Sequence, residues 1–311
     1  MIRVNSIFVG KCSLYLSIIA IIFLIGGKKN QLAAVNVTNN ITTEINNETA
    51  FPNLEDGKIY QGIINEAVAN NLAQSSIGEI VQTVAMNFLG AEYQAGLLDQ
   101  GNQEKLVVSL QKFDCLLFVE TVLAIANNIT NKQYGYQAFT QQLEAQRYWN
   151  GSINGYCSRL HYFSDWIKDN QRRGNVENIT SQLGGINKNQ KLNFMTTHRQ
   201  SYSQLANNES NFKCIASMEA SLPVTLNYIP TIDIKKIYPQ LQPGDIIGVA
   251  TNIAGLDFTH TGLVYHQTNG NVGLIHANPG GKVVIANDLK SYVENVENAI
   301  GIVVTRAYKS D

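Results

Sequence analysis

The chain reads as an α+β protein in which helices come first and an antiparallel sheet follows. From Ile59 to about Leu98 apolar residues recur at helical spacing, whereas after Pro243-Gly244-Asp245 they alternate every second residue. Helices followed by strands favour segregated layers over a parallel doubly wound sheet. Between the two patterns lies Phe113-Asp114-Cys115-Leu116-Leu117-Phe118-Val119-Glu120-Thr121-Val122-Leu123-Ala124-Ile125-Ala126. This run is apolar on nearly every side and about four turns long. It is too long for a buried strand, so it is read as a helix ending at Asn127-Asn128 in the centre of the core.

Cys115 stands at the front edge of that run. Asp114 is a good N-cap, which would put Cys115 in the first helical turn. Unpaired backbone N–H groups and the positive end of the helix dipole favour a thiolate there. A thiolate so placed is a nucleophile awaiting a base. The bland reading is a small apolar Cys filling a core gap.

The 311 residues are 44% apolar with a net charge of -1, enough for a real core and no electrostatic case for nucleic acid. Charged residues make up only 15%, while Asn, Gln, Ser and Thr are plentiful, which suits uncharged or sugar-bearing ligands. The N-terminus has the pattern of an export signal. Arg3 and Lys11 precede the apolar run Leu14 to Gly27, and the small residues Ala33-Ala34 follow. The run is shorter than the roughly 20 residues of a spanning helix. Residues 1–34 are therefore read as a cleaved leader, with an N-terminal membrane anchor second because Lys28 and Lys29 follow the run. Residues 35–55, Asn- and Thr-rich without apolar period, are read as a flexible tether, leaving 56–311 as the domain. Losing Cys12 with the leader leaves Cys115, Cys157 and Cys214. Either Cys157 pairs with Cys214 and Cys115 stays free, or all are thiols. No two soft ligands have finger-like zinc spacing, and no metal or cofactor is expected.

Within the first half, Ser76-Ile77-Gly78-Glu79 fits a capping box opening a helix through Val81, Val84, Ala85 and Phe88. Leu89-Gly90-Ala91-Glu92-Tyr93 breaks it. The middle holds Tyr148-Trp149 and Tyr156-Cys157-Ser158-Arg159-Leu160-His161-Tyr162-Phe163-Ser164-Asp165-Trp166. Aromatics beside Arg159, His161 and Asp165 would suit a sugar- or peptide-binding wall, or equally an aromatic core with satisfied polar groups. His198 alone reads more as a capping or core histidine than a catalytic one. Strands are expected at Ile246 to Ala250, Thr261 to His266, Val272 to Ala277, Lys282 to Ala286 and Ile300 to Arg306.

Parity decides whether His260 and His276 can meet. Side chains an even number of positions apart share a strand face. A two-residue Asn269-Gly270 turn would put the two histidines on opposite faces. A three-residue loop, Thr268-Asn269-Gly270 with Gly270 left-handed, pairs Gln267 with Asn271. Val264 then opposes Leu274, Gly262 opposes His276, and His260 opposes Asn278. In that register the apolar face is expected to pack on the Cys115 helix, with the imidazoles as diagonal neighbours over it and Gly262 leaving them room. Cys115 would attack an amide carbonyl, and His260 would take its proton and later protonate the leaving amine. His276 would orient His260 through a ring nitrogen, with Asn278 the second choice. The Cys115 backbone N–H is the expected oxyanion donor.

Asp114-Cys115 opening a helix, His260-Thr261-Gly262-Leu263-Val264-Tyr265 and Ile275-His276-Ala277 resemble the NlpC/p60 superfamily of papain-like cell-wall hydrolases. Within it the chain looks most like the N-acetylmuramoyl-L-alanine amidase-like family. Phe88-Leu89-Gly90 with Tyr93, Phe113 to Ala126, Ser158 to Trp166, Phe194 to His198, Gly244-Asp245-Ile246-Ile247, Gly255 to His260 and Gly301-Ile302 carry that likeness over roughly residues 75 to 306. The resemblance implies a papain-like fold with the nucleophile helix packed on an antiparallel sheet. It implies a cysteine amidase that cuts between the lactyl group of N-acetylmuramic acid and L-alanine through a thioester acyl-enzyme. Cys115 is then nucleophile, His260 base and His276 third member, while Tyr93, Arg159, His161 and Tyr162 line the substrate cleft. Leu116-Leu117 departs from relatives, which tend to be small or hydroxylated there, and leaves the thiol more enclosed.

The implied partners are peptidoglycan or soluble muropeptides, and the implied location is the periplasm or cell envelope. An endopeptidase cutting between D-glutamate and the diamino acid would use the same triad. A non-catalytic wall-binding module is the reading from a different class.

Overall fold

The sequence's central helix, α3 (Cys115–Thr130), lies between a helical layer and one face of an open sheet in the computed structural model, which describes residues 53–101 and 103–308. The leader expected at 1–34 and the tether up to residue 52 lie outside the described residues. The first helix, α1 (Leu54–Ala69), begins inside the last residues read as tether because Asn53 caps it, its side chain accepting from the Glu55 N–H at 2.9 Å. Tyr60, Ile63, Ile64 and Ala67 form its buried stripe. The expected capping box opens α2 (Ile77–Met86): Ser76 Oγ accepts from Glu79 N at 3.3 Å, and Ser76 N donates back to Glu79 Oε2 at 3.0 Å.

β1 (Glu92–Tyr93) and β2 (Lys112–Phe113) form a short parallel pair that delivers the chain to Asp114. Asp114 caps α3 as expected, accepting from Leu117 N at 2.8 Å. The helix is buried on all sides from Leu117 to Ala126 and runs past the expected end to Thr130. Asn128 can be buried there because its amide donates to Tyr60 Oη of α1 at 3.1 Å. Glu120, fully buried, accepts from Arg147 Nε at 2.7 Å and Trp166 Nε1 at 3.1 Å, which ties α3 to α4 (Tyr136–Arg147) and α5 (Phe163–Arg172). Most of the aromatic wall is thus core: Tyr148, Phe163 and Trp166 are buried, and Asp165 accepts from Trp149 Nε1 at 2.8 Å.

The remaining elements are β3 (Val176–Asn178), β4 (Ile186–Lys191), α6 (Phe194–Thr197), α7 (Ser203–Ala206), α8 (Glu209–Ser221), β5 (Pro223–Pro230), β6 (Ile246–Thr251), β7 (Phe258–His266), β8 (Val272–Ala277), β9 (Val283–Ala286), α9 (Leu289–Glu294) and β10 (Ala299–Ala307). The sheet runs β4-β5-β10-β6-β7-β8-β9, antiparallel throughout, with β3 also pairing β10. The five expected strands are present within a few residues, and β8 matches at both ends. β3, β4 and β5 were not expected. β4 (Ile-Asn-Lys-Asn-Gln-Lys) lacks an apolar alternation because it is a largely exposed edge strand.

Leu263, Ile275 and Val303 face α3 and the helical layer, while Val264, Leu274 and Val304 face α9 and a 3₁₀ segment, Thr231–Gln240. A third cluster gathers Tyr156, Tyr162, Leu192, Met195, Leu205 and Ile215 around α8. Beside it Cys157 and Cys214 form a disulfide with Cα atoms 6.2 Å apart, and Cys115 is the free cysteine among the described residues.

Candidate active site

Cys115 is the first residue of α3, held there by β2 behind it and the Asp114 cap beneath it. Backbone groups of Thr261, the residue after His260, and of Leu116 and Cys115 itself favour its thiolate. The β7–β8 ladder runs from His266↔Val272 to Leu263↔Ile275 and then stops. The sulfur therefore meets β7 just beyond the point where the two strands part.

The hairpin has the three-residue register. Gln267 N donates to Asn271 O at 3.0 Å, Gly270 is left-handed at φ 85°, and Val264 opposes Leu274. Gly262 is needed for its size, since a Cβ there would sit 2.8 Å from Ile275 O and 2.9 Å from His276 Cβ. His260 Nε2 and His276 Nδ1 are 2.8 Å apart, with the rings perpendicular and their centroids 4.9 Å apart. Asn278 does not take the orienting place. Its Oδ1 accepts from Gly280 N at 3.2 Å and closes the turn to β9.

One expectation about packing is reversed. His260 pairs with Val249, so it lies on the face of Val249, Val264 and Leu274, which packs on α9 and not on α3. The Cys115 helix takes the opposite face, with Leu263 and Ile275. A bulge at Thr259, between the Val249↔His260 and Ala250↔Phe258 pairs, bends β7 at this place. The meeting of thiol and histidine strand occurs at the parted end of the hairpin, not across a continuous sheet face.

Burial sets the protonation states. The protein packed around the sulfur, and secondarily the Asp114 carboxylate, push the Cys115 thiol up to about 12, although the residue keeps partial exposure. Hydrogen bonds at the helix start oppose this and are outweighed, so the expected thiolate gives way to a resting thiol. Burial pushes His260 down to about 3, aided by the charge of His276, and pushes His276 down to about 4. Both imidazoles are neutral at pH 7.

Tyr93 lies near Cys115: burial first, then the charges of Cys115 and Asp114, raise its hydroxyl. Tyr292 of α9, which sequence reasoning missed, has its ring 4.4 Å from that of His276 and 5.8 Å from that of His260. The Asp288 cap, followed by Leu289, Tyr292, Val293 and Val296 at helical spacing, was the signal that could have placed a helix there.

The other expected cleft residues are more enclosed. Arg159 is buried, donating to Asp99 Oδ1 at 2.7 Å and Leu98 O at 3.0 Å, with its guanidinium over the Tyr156 ring. His161 Nε2 lies 2.9 Å from Tyr156 O, and burial, then Arg159, hold it down at about 3. Tyr162 is turned inward, against expectation. It is 2% exposed and its hydroxyl donates to Glu219 Oε1 at 2.6 Å, because the third cluster offers both an apolar shell and a buried acceptor. His198 is a local cap, its Nδ1 2.8 Å from Phe194 O. Among the described residues no three His, Cys, Asp or Glu side chains gather as a metal site.

The structure thus brings a helix-start thiol close to a strand that carries one of two hydrogen-bonded imidazoles. The chain belongs to the N-acetylmuramoyl-L-alanine amidase-like family, whose profile matches residues 83–302. It is similar to an N-acetylmuramoyl-L-alanine amidase from Bacteroides uniformis, at 32% identity and TM-score 0.71, over 76% of this chain and all of that one. A putative xylanase from Bacteroides fragilis aligns at 33% identity and TM-score 0.66, over 72% of this chain and 99% of that one. A Legionella pneumophila protein at 22% identity and TM-score 0.63, over 81% of this chain and 95% of that one, shares the fold. None of the curated proteins matches the chain.

Proposed function

We propose that this protein is a cysteine amidase of the papain-like NlpC/p60 type that cleaves the N-acetylmuramoyl-L-alanine bond of peptidoglycan or its soluble muropeptides. The carrying observation is that Cys115 opens α3, the helix packed on β7, and that His260 of β7 lies 2.8 Å from His276.

The resting thiol is neutral, so His260 acts as a general base during attack rather than as half of a preformed ion pair. For that, His260 Nε2–H donates to His276 Nδ1, leaving His260 Nδ1 with the lone pair for the thiol proton. Sulfur attacks the lactyl carbonyl as the proton moves to Nδ1. The oxyanion is stabilised at the start of α3, where backbone N–H groups point outward. Collapse breaks the C–N bond, the amine leaves with the proton from His260, and a thioester remains. Water then attacks the thioester, giving one proton to His260, which returns it to sulfur as the lactyl carboxylate departs. His276 holds the imidazolium through Nε2–H.

Tyr93 lines the cleft beside sulfur, with Arg159 and His161 on its flank. Tyr162 acts through the fold. The leader pattern supports export to the cell envelope. No helix among the described residues is long and apolar enough to cross a membrane.

Muropeptides treated with the protein and with Cys115→Ala, followed by mass analysis, test this reading. Stem peptide beginning with L-alanine from the parent, and at least about a thousandfold less from the variant, is expected. Shortened stem peptides would replace the amidase by a D-glutamyl-diamino acid endopeptidase. No turnover by either protein would leave a wall-binding module.

A further inference from the structure

Two imidazoles held by a single mutual hydrogen bond can still rock about it, so their perpendicular arrangement needs a further contact. Across the sheet their directly opposed partners are aliphatic, Val249 opposite His260 and Val284 opposite His276. The Tyr292 ring, in contrast, touches both, tilted 53° to His276 and 51° to His260. Its helix is firmly seated. Asp288 caps α9 by accepting from Ser291 N at 2.8 Å, Lys290 N donates to Tyr238 Oη at 2.8 Å, and Leu289 and Val293 are fully buried in the second cluster.

We propose that Tyr292 is a positioning residue whose aromatic ring, clamped by α9, fixes His276 against His260 and keeps water from the pair. The proposal rests on the triad reading above and names a residue that reading does not contain. Burial, then the charge of Cys115, raises the Tyr292 hydroxyl, consistent with a phenol near the thiol. The other charged groups of α9 are engaged elsewhere: Lys290 with Glu294, and Asp288 with Ser291 and Tyr238. Among the described residues the charge that bears on His260 is that of His276, and the titratable ring packed on both is Tyr292, itself acted on by Cys115 of α3.

The ring rather than the hydroxyl carries the role, so Tyr292→Phe and Tyr292→Leu separate them. In Tyr292→Leu both imidazole pKa values, followed by nitrogen-15 NMR, should rise toward the ordinary value of about 6.5 as water enters. Its kcat should fall about tenfold or more with KM within about twofold. Tyr292→Phe should keep both readouts at parent values. A folded Tyr292→Leu with unchanged imidazole pKa values and kcat overturns the proposal, and so does a Tyr292→Phe as impaired as Tyr292→Leu. If Tyr292→Leu does not fold, the parent protein still decides: His276 ring protons must be shifted upfield by the Tyr292 ring current, and ordinary positions overturn the contact. Undiminished activity of Cys115→Ala would sink the triad reading while leaving these NMR outcomes to judge the contact by themselves.

Discussion

At Cys115 two opposing effects of ordinary size meet. A helix start favours the thiolate through backbone N–H groups, while the packed surroundings and the neighbouring Asp114 favour the thiol. Burial wins, with the thiol at about 12. The same burial holds His260 at about 3 and His276 at about 4, so the active, neutral form of the proposed base persists well below the usual histidine range. The sign follows directly. A depressed imidazole pKa moves the acid limb of activity downward, so kcat/KM should stay level as pH falls from 8 through about 6.5 toward 5. Iodoacetamide should alkylate Cys115 slowly at pH 7, with no thiolate absorbance near neutrality. An acid limb centred near the ordinary histidine value, or rapid alkylation at pH 7, would contradict this protonation state.

At the scale of elements, the β7–β8 hairpin decides whether there is a site at all. Gly270 in the left-handed region closes a three-residue loop, and that parity brings His260 and His276 to one face. Gly262 then lets β8 come close enough for their hydrogen bond. Gly262→Ala would force a Cβ to within 2.9 Å of His276 Cβ and 2.8 Å of Ile275 O. It should cost about 1–3 kcal/mol of stability, as overpacked sites do. Because the displaced atom belongs to His276, kcat should fall more than stability alone explains. Chemical denaturation and steady-state rates on the same preparation check both. A variant with full kcat would show that the His276 position tolerates the shift.

Across the whole molecule, a disulfide ties the Arg159 segment to α8, closing a loop with 57 residues of sequence separation. On a loop-closure account such a bridge is worth about 4 kcal/mol. The double replacement Cys157→Ser, Cys214→Ser should therefore lower the thermal midpoint by several degrees, and reductant should lower the parent's midpoint to match. An unchanged midpoint would mean that the third cluster holds without its tie. Within the same region the Tyr162 hydroxyl and the Met195 N–H both contact Glu219 Oε1, so α8 is anchored by a buried carboxylate as well.

Much of the fold could be read from the residues alone. The α3 run, the Ser76–Glu79 box, the Asp114 cap and the five C-terminal strands all rest on local periodicity and capping, which need no partner. β4 escaped because an exposed edge strand carries no alternating signal, whereas β5 alternates from Val224 to Tyr228 but sits between two prolines that read as breakers. For the site, the spacing left two hairpin registers, and only the three-residue loop, which the structure has, lets His260 and His276 lie together. Which face those histidines occupy, and that Tyr292 lies on them while Tyr162 turns inward, depended on how distant segments pack. The sequence by itself determined the chemical groups and their spacing along each strand. Only the tertiary structure decided their burial, and with it their protonation, because desolvation depends on neighbours far away along the chain.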